Sequence, residues 1–165
     1  MAKITLKGAA VSTNGELPAK GSRAPDFELV DSSLRDRTLG DFAGRKKLIY
    51  IVPSIDTSVC AASTRRFNEL AAGRDATLLI VSCDLPFAQK RFCDAEDLRN
   101  VTTLSMMRSR RFAENYGVLI KDGPLAGISA RAIVVLDAND RVLYTELVPE
   151  ISQHPNYDAA IAALG

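Results

Sequence analysis

Two apolar runs without alternation, Lys47 to Pro53 (KLIYIVP) and Thr77 to Cys83 (TLLIVSC), flank a segment with helical periodicity. A half-exposed strand alternates apolar and polar residues, whereas a continuous β-branched and aromatic run is what a strand covered on both faces requires. Between the runs, Val59, Ala62, Phe67, Leu70 and Ala71 recur at helical spacing. Arg65, Arg66 and Glu69 are left for the exposed side, and Gly73 is a stop signal. Strand, helix and strand in this order form a crossover unit, so the two strands should be parallel, with the first central in its sheet.

The remaining chain adds strands and helices around that unit. ITLKGAAVST holds two short extended pieces around Gly8 and predicts an N-terminal β-hairpin, and PDFELV is a further extended run. Pro86 opens a helical candidate, PFAQKRFC, of only about two turns, a length that is marginal without tertiary support. VTTLS reads as a strand, RSRRFAENYG as a helix stopped by Gly117, and KDGPLAG as a turn-rich loop. AIVVLDANDRVLYTEL predicts a hairpin turning at Asp137 to Asp140, and Asp158 to Leu164 a closing helix. These elements predict an α/β protein of the thioredoxin-like kind: a central mixed sheet flanked by helices, in one domain over residues 1–165.

A formal charge of +1 without long like-charge blocks argues against a nucleic-acid partner. No stretch approaches a membrane-spanning length, and the first residues contain no uninterrupted apolar signal region; the expectation is a cytoplasmic protein without membrane association. Cys60, Cys83 and Cys93 are an odd set with no CxxC pair, unlike a disulfide scaffold, so at least one thiol should be free. With His154 the only histidine, a four-ligand zinc site lacks local ligands, and no metal is expected.

The chemistry concentrates in PSIDTSVC, Pro53 to Cys60, where the first central strand ends and a helix begins. Unpaired amides of a helix's first turn favour an anionic group, and a thiolate, not a thiol, is the nucleophile. Thr57, three residues before Cys60, can cap the helix or hydrogen-bond a thiolate and an incoming oxygen. Pro53 ends ladder pairing, whether as a plain strand terminator or as the entry to an active-site loop. Asp56 would oppose a thiolate if it faced the sulfur, so it should point to solvent or cap the helix. Cys83 reads as a packed, inert thiol whose neighbour Asp84 supplies no activating cation. By residue type alone Cys93 reads as a small buried hydrophobe and Arg131 as a solvated surface cation. Met106 and Met107 should fill the core edge, and His154 should lie in an exposed loop.

PSIDTSVCAAS resembles the active-site motif of the peroxiredoxins, PxxxTxxC. LGDFAGRKK, DLPFAQKRFC, DGPLAG and ARAIVVLD are similar, in order and approximate spacing, to the bacterial thiol peroxidase branch, so the resemblance covers nearly the full length. It implies a thioredoxin-like fold and a peroxidase that needs no metal, haem or flavin. Cys60 would be the peroxidatic cysteine, oxidised by hydrogen peroxide or an organic hydroperoxide to sulfenic acid. Thr57 and Pro53 would shape its pocket and Arg131 would supply the cationic partner. Cys93 would resolve the sulfenic acid as an intramolecular disulfide with Cys60, thioredoxin would be the reductant, and two copies would pair as a homodimer. Because Cys60 and Cys93 fall on separate helices, disulfide formation should require local unfolding, with the Pro86 to Cys93 helix the element that moves.

Two other functions compete. A redox sensor would oxidise at Cys60 once without steady turnover, and a cysteine hydrolase would need His154 within hydrogen-bond reach of Cys60.

Overall fold

A two-stranded antiparallel hairpin, β1 (Lys3–Leu6) and β2 (Ala9–Ser12), opens the chain in the computed structural model, which describes residues 1–165. Its tight turn places both Lys7 and Gly8 at positive φ, +49° and +83°. The second sheet has seven strands: β3 (Glu28–Val30), β4 (Asp36–Thr38), β5 (Lys46–Ile51), β6 (Ala76–Ser82), β7 (Val101–Ser105), β8 (Ala132–Leu136) and β9 (Val142–Leu147). Their spatial order is β4-β3-β7-β6-β5-β8-β9. Pairing is parallel for β5 with β6 and β6 with β7, and antiparallel toward both edges. The sheet is therefore mixed. As the apolar runs predict, β5 and β6 are interior, and Leu48 to Ile51 and Leu78 to Ser82 are buried throughout.

Strand alternation divides the core between the two faces of this sheet. Ile49, Ile51, Leu79, Val81, Val134 and Leu136 face one apolar layer. Leu48, Tyr50, Leu78, Ile80, Ile133 and Val135 face the other, which is shared with helices α1 (Ser58–Ala71) and α4 (Tyr157–Leu164). That parity decides the site: Tyr50, not its neighbours Ile49 and Ile51, turns toward the helix that carries Cys60. Edge-to-face contacts of Tyr50 with Phe67 at 5.1 Å and of Phe67 with Tyr157 at 5.0 Å tie β5, α1 and α4 together.

Three helices depart from expectation. The buried face of α1 is Cys60, Ser63, Thr64, Phe67 and Ala71, while Val59, Ala62 and Leu70 are only partly covered. The buried stripe is rotated because the two hydroxyl residues, which periodicity scores as polar, lie on the inner side. Helix α2 spans Pro86–Ala95, nearly three turns and so longer than the two expected. Helix α3 is confined to Arg111–Asn115. Its start is delayed because the Ser109 hydroxyl accepts from the Arg111 amide, and Arg110 donates to the Met106 and Gly127 carbonyls. Gly117 does end it, with φ at +71°, and a Cβ there would collide with the Glu16 backbone.

Beneath the opposite layer, Lys47 is fully buried and donates to Asp140 in the β8–β9 turn at 2.5 Å. None of the helices is long and apolar enough to cross a membrane.

Candidate active site

The loop from Val52 to Thr57 connects β5 to α1 and delivers Cys60 to the first turn of the helix. Thr57 is the N-cap: its Oγ1 accepts from the Cys60 amide at 3.3 Å and donates to the Ser54 carbonyl at 3.2 Å. The capping interaction thus occupies one side of this hydroxyl, and its proton is spent locally on Ser54. Pro53 is buried. Asp56 is exposed, and it is its amide that is engaged, donating to Ser54 Oγ at 3.1 Å. The Cys60 side chain is fully buried, in contact with the layer between the sheet, α1 and α4.

Arg131, one residue before β8, is also buried and donates from Nη1 to Cys60 Sγ at 2.9 Å. The same nitrogen approaches Tyr50 Oη at 3.0 Å, and Nε donates to the Ile151 carbonyl at 2.9 Å. A guanidinium held at both ends is a fixed donor, not a mobile surface charge. Burial opposes its charge, but Tyr50 and Cys60 beside it outweigh that and hold the Arg131 pKa above its ordinary value. Two residues upstream of Arg131, Ser129 donates to the Val52 carbonyl at 2.9 Å, fastening the lead-in to β8 against the start of the Cys60 loop.

Tyr50 is the residue that sequence reasoning passed over. Burial raises its pKa to about 12, against the pull of Arg131, so it remains a neutral phenol that can accept from the guanidinium. Ser63 lies within hydrogen-bond reach of it and accepts from Tyr157 Oη at 3.0 Å. The available signal was a lone phenol inside an otherwise aliphatic buried strand, which needs a polar partner. Tyr50→Phe is expected to slow the reaction of Cys60 with peroxide several-fold, because removing one hydrogen bond frees Arg131 without deleting its charge, worth about 1 kcal/mol. Stopped-flow oxidation of the reduced protein checks this; an unchanged rate would make Tyr50 a packing residue only.

Cys93 stands apart on α2, half-buried, and all three cysteines are free thiols. Burial pushes its thiol from 9.0 up to about 11, with Asp94 adding to the rise. Cys83 is also only half-buried, packed against the core. Contrary to expectation a cation does act on it: Arg110, from the start of α3, pulls its pKa down, but burial dominates and the thiol is held above its ordinary value. His154 is exposed and bonds through Nδ1 to Tyr157 Oη at 2.5 Å, so the partner of the Cys60 sulfur is a guanidinium and not an imidazole. Met106 is buried and Met107 partly so, at the core edge as expected.

Among known proteins, the Redoxin family model matches residues 19–161. Thiol peroxidases of Mycobacterium bovis and Mycobacterium tuberculosis are 58% identical over 165 residues, covering 100% of this chain and 99% of theirs. A peroxiredoxin-like protein from Aquifex aeolicus superposes with a TM-score of 0.93 at 42% identity, covering 99% of this chain and 96% of its own. The thiol peroxidase from Chromobacterium violaceum gives a TM-score of 0.89 at 30% identity, covering 98% and 94%. Similarity of this extent joins a helix-start cysteine bonded to a buried arginine with full-length relatives of one activity, and the chain belongs to the Redoxin family, in its peroxiredoxin branch of bacterial thiol peroxidases, as a thiol-dependent peroxidase.

Proposed function

We propose that Cys60 is the peroxidatic cysteine and Cys93 the resolving one, in a cycle confined to one chain of a single domain, residues 1–165. The observation that carries this reading is the 2.9 Å bond from buried Arg131 to Cys60 Sγ. A fixed cation at the sulfur favours the thiolate, and the same fork can follow the negative charge that grows on the peroxide oxygen. The thiolate attacks one oxygen of the O–O bond. That oxygen stays on sulfur as the sulfenic acid, and the other leaves with a proton as water or an alcohol. Thr57, by turning its hydroxyl away from Ser54, donates to the incoming peroxide, and Pro53 closes the pocket wall.

The Cys93 thiolate then displaces hydroxide from the Cys60 sulfur, forming the disulfide and, after protonation, water. This step calls for α2 to unwind, since Cys60 is enclosed on α1 while Cys93 is held on a separate helix, half-buried and with its thiol pKa pushed up. A thiol reductant reopens the disulfide; thioredoxin fits the role. Free thiols throughout suit the cytoplasm, and two copies pair as a homodimer.

Mass spectrometry after one equivalent of peroxide tests the assignment. A Cys60–Cys93 disulfide is expected in the native chain and a trapped Cys60 sulfenic acid in Cys93→Ser; oxidation centred on Cys83 would overturn it. Continuous peroxide consumption with thioredoxin and its reductase should fall to one equivalent in Cys93→Ser. If the native chain also stops at one equivalent, it is a sensor and not a cycling enzyme.

The raised Cys93 pKa adds a pH dependence with a defined sign. A thiol whose folded-state pKa exceeds its unfolded value stabilises the folded helix fully below the unfolded pKa, and that contribution is lost as pH rises toward the folded pKa. Between 9.0 and about 11, α2 should open progressively more often. Hydrogen exchange in residues 89–95 therefore rises beyond the intrinsic base-catalysed increase in that window, and the excess vanishes in Cys93→Ser.

A further inference from the structure

Helix α2 is docked on the sheet in an unusual way. Pro86 and Gln89 are its buried residues, with Ala88 and Phe92 packed partly covered against the core, so a polar side chain sits at the centre of its docked face. Gln89 Nε2 donates to Ser82 Oγ and to the Leu104 carbonyl, each at 3.0 Å. Gln89 Oε1 is buried without a hydrogen-bond partner. An unpaired buried acceptor is a cost carried by the docked helix and relieved when the side chain reaches water.

Ser82 passes the connection on. Its hydroxyl donates to Asp84 Oδ2 at 2.6 Å, and the same carboxylate accepts from the Ile55 amide at 2.8 Å and, through Oδ1, from Ser54 Oγ at 2.7 Å. Ser105 fixes the Asp84 backbone by donating to its carbonyl at 2.5 Å. Asp84 therefore holds the loop that precedes Cys60 and, through Ser82, the anchor of the helix that carries Cys93. Cys60 is fully buried in this arrangement, and the loop that Asp84 holds leads directly into the helix turn that carries it.

We propose that Asp84 and Gln89 are positioning residues that couple opening of the Cys60 loop to undocking of α2. In one state the carboxylate gathers Ser54, Ile55 and Ser82, and Ser82 holds Gln89. When the loop lifts, Ser54 and Ile55 leave Asp84, the carboxylate is no longer pinned beneath the loop and shifts with the Ser82 hydroxyl still bonded to it, and Gln89 keeps only the Leu104 carbonyl while gaining water for its stranded oxygen. Movement of the Cys60 loop thereby loosens the helix that must also unwind. Coupling free energy is reciprocal, so weakening either end must loosen the other. The inference rests on the reading of Cys93 as the resolving cysteine only for its functional consequence.

Hydrogen exchange on the reduced full-length protein tests it. Ser54→Ala cuts the loop end alone and is expected to speed exchange of amides 89–95 about tenfold, the factor for losing one buried hydrogen bond. Gln89→Ala cuts the helix end alone and should speed exchange of amides 55–57 by a similar factor. Asp84→Asn places a donor among donors and should speed both, with the β5 and β6 amides unchanged as a control for global loosening. Exchange confined to each variant's own segment, or a rise in β5 and β6 that accounts for it, overturns the coupling. At excess peroxide, Gln89→Ala should form the disulfide faster and yield several-fold less Cys60 sulfinic acid, which simple destabilisation of the fold does not produce. Reciprocal exchange without any Cys60–Cys93 disulfide would sink the assignment of Cys93 and leave the coupling standing; the disulfide without reciprocal exchange would do the reverse.

Discussion

Arg131→Met is expected to lower the second-order rate constant of Cys60 with hydroperoxide by about 10²–10³, the effect of removing one preorganised donor from a buried reaction centre. The basis is placement: Nη1 lies 2.9 Å from Cys60 Sγ inside a fully enclosed site, where charge stabilisation is weakly screened. Methionine fills much of the space but can neither favour the thiolate nor follow charge onto the departing oxygen. It also strands the Ile151 carbonyl and takes one of two partners from the Tyr50 hydroxyl, so a stability loss accompanies the rate loss. Arg131→Lys separates the two. A lysine keeps the charge but offers one nitrogen where the guanidinium uses two, Nε for Ile151 and Nη1 for Tyr50 and Cys60. The rate in Arg131→Lys should recover only partly. Stopped-flow oxidation at several pH values, with thermal denaturation in parallel, measures both. Full recovery by lysine would show that charge alone suffices and that the held fork is irrelevant.

Asp140→Asn is expected to destabilise the fold by about 3–5 kcal/mol, because it leaves the Lys47 ammonium buried without a counter-charge. At about 2–4 °C per kcal/mol for a chain of this size, the melting temperature should fall on the order of 10 °C. Asparagine is the informative replacement. Asp140 has φ at +65°, a left-handed conformation that asparagine tolerates, so the loss reports the charge and not the backbone. Asp140→Ala should cost roughly 1 kcal/mol more through backbone strain. Lys47→Met in the Asp140→Asn background removes the stranded charge and should restore most of the loss. Urea titration of the reduced proteins checks all three, and an Asp140→Asn variant within 1 kcal/mol of the native chain would mean that water reaches Lys47 in compensation. The second-order reaction of Cys60 with hydroperoxide should be little affected, since this pair faces the opposite apolar layer.

Much of the architecture was legible because it follows from local rules. Non-alternating runs at β5 and β6 marked interior strands, Thr57 marked a helix start, and Gly117 marked a helix end. Where local rules competed with tertiary contacts they misled. The inner face of α1 includes Ser63 and Thr64, and for Ser63 that choice depends on phenols from β5 and α4 which no window of the helix contains. Helix α3 is short because the Arg110 side chain at its start is taken by two carbonyls, one of them at Gly127. Asp84 was visible only as the neighbour of Cys83; its grip on Ser54 and Ile55 joins residues about thirty positions apart.

Within the site the division is equally physical. PSIDTSVC determined by itself that a cysteine would sit in the first turn of a helix capped by a threonine, since capping and strand termination act over a few residues. Only the tertiary structure decided that Arg131 is buried against that sulfur, that strand parity turns Tyr50 toward it, and that α2 is anchored by a glutamine with an unpaired oxygen. Those outcomes depend on which face of a strand meets which helix and on water being excluded from both. A linear pattern records residue types and spacings; desolvation and cross-strand geometry arise when distant segments close over one another, and they give these side chains their chemistry.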